Sequence, residues 1–316
     1  MEIIDNKALM LKTRNPDKVT QVITQSYVTS ETQTPTGIGY EIAVKWTLPN
    51  AKILQNLGFK NVPSPIMGQY EWPGMYKPFE HQKVTASFLT LNQRAFCLND
   101  MGTGKTMSVI WAADYLMTKK IIKRVLVICP LSIMDPAWRA DLFKTAMHRR
   151  VDIAHGAKDK RIKVINSDAE FVIINYDGIE IVANEIAKGG FDLIVCDEAS
   201  ALKTPTTNRW KTLNSLINQH TWLWLLTGTP AAQSPMDAYG LAKMLRPDSV
   251  PRYIGAFRDQ VMIKLTQFKY VPRPEAQKIV HKVLQPAIRY TKEECLDLPE
   301  LVYTERDTPI TPQQRK

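Results

Sequence analysis

The sequence predicts an α/β fold in which a parallel sheet carries helices on both faces, preceded by a small α+β domain. From Lys77 onward, short apolar runs alternate with longer helical segments, which is typical of βα units. The length of 316 residues allows roughly two domains at about 150 residues each. Hydrophobic residues make up 44% of the chain and charged residues 23%, as in ordinary folded proteins. This composition excludes a disordered, collagen-like or coiled-coil protein.

Six short apolar runs after Lys77 are candidates for buried strands. They lie at residues 95–98, 124–129, 151–154, 171–174, 193–196 and 223–226. Each is four to six residues long, and their number fits one doubly wound sheet. Beyond Arg246 the chain is more basic and richer in proline, so we expect helices packed on the edge of that sheet.

The first 62 residues show a different pattern, which predicts the small α+β domain. Polar and β-prone residues alternate over 19–28 and 40–48 around a turn-rich joint at 34–39, and we expect a β-hairpin there. A helix over 51–57 would follow, with Asn50 as its N-cap and Gly58 as its stop.

Proline and glycine cluster between residues 63 and 78, which predicts a linker over 63–76. The large domain would then span 77–300, and 301–316 would connect it to a further domain.

Charge and the absence of targeting signals narrow the class of protein. Forty-one Lys and Arg against 31 Asp and Glu leave a net charge of +10, which favours a polyanionic partner. No apolar run approaches the roughly 18 residues of a membrane span, and residues 1–15 lack the order of a signal peptide. We therefore expect no membrane association and no secretion, and the protein should stay in the compartment where it is made.

A glycine-rich loop follows the first strand candidate of the large domain. The order is strand, then NDMGTGKT at 99–106, then an apolar-periodic helix. Glycines let such a loop turn its backbone N–H groups toward phosphate oxygens at the start of a helix. Gly102, Thr103 and Gly104 would form this cradle, Lys105 would reach the β and γ phosphates, and the Thr106 hydroxyl would hold Mg²⁺. The loop therefore predicts ATP and Mg²⁺ as cofactors.

Two adjacent carboxylates, Asp197 and Glu198, end another buried strand candidate. Their burial would be costly unless a cation or a reaction used them. Asp197 is the predicted magnesium partner of Thr106, and Glu198 is the predicted general base on the attacking water.

Taken in order, these motifs resemble the first RecA-like lobe of superfamily 2 helicases. The motifs are Gln82, MGTGKT at 101–106, ICPLS at 128–132, NY at 175–176, DEAS at 197–200 and LTGTP at 226–230. Further segments resemble the Swi/Snf branch of double-stranded DNA translocases: PFEHQ at 78–82, PLS followed by Trp138, LK at 202–203, HKVLQP at 281–286, YTK at 290–292 and LP at 298–299. The large domain thus resembles a RecA-like helicase ATP-binding lobe. The N-terminal domain is similar in position to that of phage or bacterial branch-migration helicases.

The resemblance implies roles for further residues. Gln82 would recognise the adenine edge, and Thr227 and Thr229 would couple the γ-phosphate region to the DNA-contacting surface. Ser200 stands where relatives carry His, so coupling would run through its hydroxyl or another residue. Four implied DNA-contact positions are Leu131, Ser132, Asn175 and Tyr176, and charge alone adds Lys203.

The resemblance also implies an activity and a missing part. We expect an ATP-dependent helicase or translocase on double-stranded or branched DNA that remodels forks or recombination junctions. Its second RecA-like lobe would supply an arginine finger, worth on the order of a thousandfold or more in rate, so this chain alone should be nearly inactive. Two alternatives stay open: a motor subunit of a restriction or defence complex, and a nucleotide-gated DNA-binding module that does not translocate.

Overall fold

The N-terminal region folds as a four-stranded antiparallel sheet with two helices. A computed structural model describes residues 1–34, 37–267 and 269–295. In chain order the first elements are β1 (Glu2–Ile4), β2 (Ala8–Thr13), α1 (Asp17–Thr20), β3 (Ser26–Thr34), β4 (Gly37–Lys45) and α2 (Leu48–Asn56). The strand order is β1-β2-β4-β3. The expected α+β character and the β3–β4 hairpin are confirmed, although the tip of the hairpin, residues 35–36, lies outside the described residues.

Three local expectations for this region were wrong. The first hairpin strand begins at Ser26, since 17–20 form α1. Helix α2 begins at Leu48, and Thr47 rather than Asn50 is its N-cap: the Thr47 hydroxyl accepts the Asn50 N–H at 3.3 Å. Pro49 fits this first turn because its missing N–H would have no partner there. Strands β1 and β2 escaped prediction, although Leu9 and Leu11 of β2 are buried with the spacing of two that marks a strand.

The segment predicted as a linker, 63–76, packs against both the small sheet and the large domain. The Trp46 indole donates to the Pro63 carbonyl at 2.8 Å, and the Trp111 indole donates to the Pro73 carbonyl at 2.9 Å. Trp72 is buried between these contacts and packs edge-on against Trp111. One continuous hydrophobic cluster runs from the small sheet into the large domain. The domain boundaries themselves stay a prediction.

The large domain is built on a seven-stranded parallel sheet in the order β13-β5-β10-β9-β6-β8-β7. The remaining strands are β5 (Arg94–Cys97), β6 (Val125–Cys129), β7 (Val151–Ala154), β8 (Phe171–Asn175), β9 (Leu193–Cys196), β10 (Trp222–Leu226), β11 (Met262–Lys264), β12 (Tyr270–Pro272) and β13 (Ala287–Ile288). All six predicted strands are present. The seventh, β13, has only two residues, too few for a periodic pattern; β11 and β12 form a separate antiparallel pair.

Helices cover both faces of the sheet. They are α3 (Ile66–Gln69), α4 (Glu80–Leu91), α5 (Lys105–Thr118), α6 (Ala140–Thr145), α7 (Lys158–Ile165), α8 (Gly178–Ile181), α9 (Ala183–Lys188), α10 (Asn208–Leu216), α11 (Ala238–Leu245), α12 (Ile254–Val261), α13 (Ala276–Val283) and α14 (Lys292–Cys295). Along β6, Val125 and Val127 join the core that holds α4 and α5, whereas Leu126 and Ile128 join the core that holds α11. The predicted fold class is confirmed.

Three cysteines of the sheet, Cys97, Cys129 and Cys196, are free and buried, and burial raises the pKa of the Cys97 thiol to about 12. The motif at 298–299 and the connector 301–316 lie outside the described residues. In the part of the chain that the structure describes, no helix combines the length and the apolar character needed to cross a membrane.

A buried carboxylate on α5 ties three elements together. Asp114 is 1% exposed and accepts from the Tyr70 hydroxyl, from His148 Nε2 at 2.9 Å and from Arg149 Nε at 2.6 Å. Arg149 also donates to Glu170 at 2.8 Å. Since Tyr70 belongs to the segment 63–76, this carboxylate joins that segment to the first helix after the glycine-rich loop.

Replacing Arg149 should therefore destabilise the fold. We expect Arg149→Met to lower the free energy of unfolding by about 3 kcal/mol, because a buried carboxylate loses its cationic partner. Urea denaturation measures the change. Arg150→Met is the matched control: Arg150 pairs with the exposed Asp168 at 3.2 Å, so its loss should cost less than about 1 kcal/mol. Equal effects of the two substitutions would contradict the prediction.

Candidate nucleotide-binding site

Three predicted motifs meet at one edge of the sheet because the strands are parallel. Strand β10 lies between β5 and β9. The glycine-rich loop follows β5, the DE pair follows β9, and the TGTP segment follows β10. Segments far apart in the sequence therefore lie side by side at the carboxyl ends of neighbouring strands, where ligands bind in open α/β sheets.

The glycine-rich loop has the conformation expected of a phosphate cradle. Gly102 has a φ of +85° and Gly104 a φ of +76°, values that side-chain-bearing residues rarely adopt. A Cβ on Gly104 would also lie 1.9 Å from Gln82 Nε2. Glycine at 104 is thus required both by the turn into α5 and by the close approach of Gln82.

Lys105 and Thr106, the first two residues of α5, keep polar atoms at this edge. Lys105 is 8% exposed, and its ammonium donates to the carbonyls of Asn99 at 2.8 Å and Asp100 at 3.1 Å. The Thr106 side chain is half-buried, and its hydroxyl makes no hydrogen bond with the described residues. A buried ammonium and an unengaged hydroxyl in adjacent positions suit a phosphate and its metal ion.

Asp197 is a buried carboxylate with a donor on each oxygen. It is 6% exposed; Oδ1 accepts the Glu198 N–H at 2.9 Å and Oδ2 accepts the Trp138 indole N–H at 2.9 Å. Burial raises the pKa of Asp197, while these two hydrogen bonds and the Lys105 ammonium oppose the rise. Lys105 and Asp197 follow β5 and β9, which flank β10 at the same edge of the sheet.

Glu198 adopts a strained backbone conformation next to it. Its φ and ψ are both 50°, in the left-handed region, at a cost of about 1–3 kcal/mol for a residue with a side chain. Such strain clusters at functional sites. Burial and the Asp197 carboxylate raise the pKa of Glu198, and the Lys105 ammonium lowers it. A carboxylate whose pKa is raised toward neutrality is a stronger base for a water proton.

Gln82 lies against the cradle. Its Oε1 accepts the Phe79 N–H at 2.9 Å, and its Nε2 is 3.5 Å from the Gly104 carbonyl. The neighbouring His81 ring lies 2.8 Å from the Thr103 carbonyl and stacks on the exposed Phe79. The structure places Gln82 beside the loop, and adenine recognition by Gln82 stays a prediction. The contact of His81 with the loop has no signal in the sequence.

The three predicted coupling residues lie at the same edge of the sheet: Ser200 follows β9, and Thr227 and Thr229 follow β10. Thr227 is buried, donates its N–H to the Cys97 carbonyl of β5 at 3.1 Å, and accepts the Thr229 N–H on its hydroxyl at 3.2 Å. Thr229 is exposed, and the Ser200 hydroxyl lies 3.5 Å from the Glu198 carbonyl. These contacts connect the segment after β10 to β5, the strand that precedes the glycine-rich loop. They also connect Ser200 to the DE pair.

The five candidate DNA-contact residues divide by exposure. Leu131 and Ser132 are exposed on a 3₁₀ turn after β6. Asn175 is 9% exposed and accepts from Arg161 at 2.9 Å, while Tyr176 is buried and donates its hydroxyl to the Asp197 carbonyl at 2.8 Å. Lys203 is half-buried and lies 3.4 Å from Asp237. The first two side chains are free to meet a partner and the other three are engaged; DNA contact stays a prediction for all five.

The fold and this site define a P-loop ATPase-like lobe of the RecA type. A structure titled as the Sulfolobus solfataricus SWI2/SNF2 ATPase core in complex with dsDNA matches 70% of this chain and 46% of its own, with a TM-score of 0.59 at 21% identity. A structure titled as the Sulfolobus solfataricus SWI2/SNF2 ATPase core domain matches 73% of this chain and 48% of its own, with a TM-score of 0.58 at 21% identity. At this identity the match establishes the fold.

The family follows from the sequence itself. The model of the SNF2-related domain matches residues 81–316, and this chain belongs to that family. The mouse DNA repair and recombination protein RAD54B is 28% identical over 180 residues, which are 54% of this chain and 20% of the relative. The zebrafish chromodomain-helicase-DNA-binding protein 1-like is 25% identical over 241 residues, 71% of this chain and 22% of the relative. The chain thus spans about a fifth of the length of these relatives.

The raised pKa of Glu198 gives a stability prediction. Folding disfavours the ionised form of Glu198. At pH values above the pKa of Glu198 in the folded protein, the wild type should therefore be less stable than a variant with a neutral residue at 198. We expect Glu198→Gln to raise the free energy of unfolding at pH 8 by up to about 1 kcal/mol, allowing for solvent screening. The gain should vanish as the pH falls through the usual Glu value of 4.5.

Urea denaturation at pH 8 and at pH 4 measures this gain. Glu180→Gln, at an exposed position on α8, is the control and should change stability at neither pH. A loss of stability at pH 8 in Glu198→Gln would show that the carboxylate is favourable where it lies.

Proposed function

We propose that this chain is the ATP-binding lobe of a DNA translocase that acts on double-stranded or branched DNA, such as a replication fork or recombination junction. The observation that supports this proposal most strongly is that Lys105, Asp197 and Glu198 follow β5 and β9 at one sheet edge, in a chain that belongs to the SNF2-related family. The names of its relatives point to DNA repair, recombination and chromatin remodelling. We place the activity in the cytoplasm or the nucleus.

In this proposal the protein groups divide the work of ATP hydrolysis. The loop amides and the Lys105 ammonium bind and orient the β and γ phosphates, and Gln82 contacts the adenine edge. Thr106 and Asp197 are the residues that would hold Mg²⁺. When bound, the ion would neutralise negative charge on the phosphate oxygens. Glu198 accepts the proton of the attacking water, for which its raised pKa prepares it.

The same edge would transmit the nucleotide state to DNA. Thr227 and Thr229 connect the segment after β10 to the end of β5, and the Ser200 hydroxyl contacts the Glu198 carbonyl. Leu131 and Ser132 are the exposed candidates for contact with the phosphate backbone. We further propose that a second RecA-like lobe completes the site with an arginine, so that the lobe described here binds ATP but hydrolyses it slowly alone.

Loss of the Lys105 ammonium tests the nucleotide site. In the full-length protein, Lys105→Ala should reduce ATP-dependent triplex displacement at least about a hundredfold, because charge on the transferring phosphate loses its partner. Lys119→Ala is the control: the same substitution on an exposed residue directly after the other end of α5 should leave displacement unchanged. Undiminished displacement by Lys105→Ala would show that the phosphate site lies elsewhere.

Comparing DNA affinity in ATP, ADP and a non-hydrolysable analogue separates a motor from a nucleotide-gated binding module. A motor displaces the triplex strand only while ATP is hydrolysed. A gated module changes its DNA affinity with the nucleotide and displaces nothing.

Adding charge at Ser132 tests the DNA surface. Ser132→Glu should weaken double-stranded DNA binding by about tenfold at low salt, since a carboxylate repels the phosphate backbone, and the loss should shrink as salt rises. Fluorescence anisotropy with labelled duplex measures the affinity. Ser215→Glu, also exposed but on α10, is the control. Equal affinities of the two variants would show that the 131–132 turn does not contact DNA.

A further inference from the structure

Trp138 differs from other buried tryptophans in this protein. The indoles of Trp46, Trp111, Trp210 and Trp224 all donate to backbone carbonyls, at 2.8–3.0 Å. Trp138 is fully buried and donates instead to the carboxylate of Asp197, at 2.9 Å. A buried indole needs an acceptor, but a backbone carbonyl serves that need; a bond to an ionised carboxylate is stronger than one to a carbonyl. Core packing alone therefore leaves this partner unexplained.

The hydrogen bond from Trp138, together with the one from Glu198, fixes the orientation of the Asp197 carboxylate. Oδ1 is held by the Glu198 N–H and Oδ2 by the Trp138 indole, so the plane of the carboxylate cannot rotate without breaking one of them. Each carboxylate oxygen can accept a second partner. The indole has a single donor and no acceptor, so it orients the carboxylate without competing for a cation.

The helix that carries Trp138 also carries the exposed turn after β6. The 3₁₀ turn Leu131–Ile133 runs directly into a π-helix, Met134–Arg139, and then into α6. Pro136 lies inside the π-helix and supplies no N–H, which accounts for the break in the α-helical ladder. Ser132 at the surface and Trp138 at the carboxylate are thus six residues apart on two consecutive helical elements.

We propose that Trp138 is a positioning residue that orients Asp197 toward Mg²⁺ and links that carboxylate to the exposed turn at 131–132. The proposal rests on the proposed function, since it presumes that Asp197 serves magnesium-bound ATP. Partners that orient metal ligands typically affect metal affinity by about 10- to 100-fold. The indole belongs to this class because it touches the ligand rather than the ion.

The test compares two substitutions that remove an indole N–H. Trp138→Phe and Trp224→Phe each take one hydrogen bond from a fully buried tryptophan, and Trp224 donates to a backbone carbonyl, that of Asn92. Calorimetric titration of the full-length protein with a non-hydrolysable ATP analogue, in Mg²⁺ and in EDTA, gives the increment in affinity due to magnesium. Trp138→Phe should reduce this increment about 10- to 100-fold and leave the EDTA affinity unchanged; Trp224→Phe should change neither.

A double variant checks the route through Asp197. In an Asp197→Asn background, Trp138→Phe should cause no further loss, because the group it orients is already changed. An unchanged magnesium increment in Trp138→Phe, or fully additive losses in the double variant, overturns the proposal. If the wild type itself has no magnesium increment, the proposed function fails, and the role of Trp138 fails with it.

A measurement on the unsubstituted protein covers the case in which Trp138→Phe does not fold. Indole ¹⁵N–¹H spectra with the ATP analogue, recorded before and after adding Mg²⁺, should show the Trp138 signal shift while the Trp224 signal stays in place. An unmoved Trp138 signal overturns the proposal.

Discussion

The burial of opposite charges at one sheet edge is the constraint on which this lobe depends. Lys105 and Asp197 are each less than a tenth exposed, and neither would be tolerated without partners. Two carbonyls of its own loop accept from Lys105, and one backbone and one indole N–H satisfy Asp197. Strand β10 between β5 and β9 sets the separation of these groups. A further strand inserted beside β10 would move the two buried charges apart.

The same edge holds part of the local strain of the lobe. Glu198 occupies the left-handed region beside a carboxylate that raises its pKa, and two P-loop glycines have positive φ. Each feature costs folding free energy, and the surrounding core offsets that cost: apolar strands of four or five residues pack against helices on both faces. Stability is thus concentrated in the strands, and reactivity at their carboxyl ends.

Sequence patterns predicted the elements that repeat or carry a motif. Six strands, the glycine loop and the DE pair were predictable because buried runs and loop glycines leave local signals. Strand β13 was not, since two residues carry no period and its pairing with β5 is set by chain segments almost 200 residues apart. The inward direction of Tyr176 and the bond from Trp138 to Asp197 also depend on three-dimensional packing. A tryptophan in a sequence shows that it will be buried, but not which acceptor its indole will meet.

The shared core of the small sheet and the large domain limits how the protein can be divided. Lys52 of α2 lies 4.4 Å from the ring centre of Trp222 in β10, and Trp46 and Trp111 both donate to the segment between the two regions. Cutting the chain near residue 62 would uncover the side of α4 that packs against α2, and α4 in turn packs against α5, the helix that begins with Lys105. The small sheet therefore packs against the large domain and is not joined to it by a flexible linker. A force applied to it would be delivered to the helix that starts at the phosphate loop.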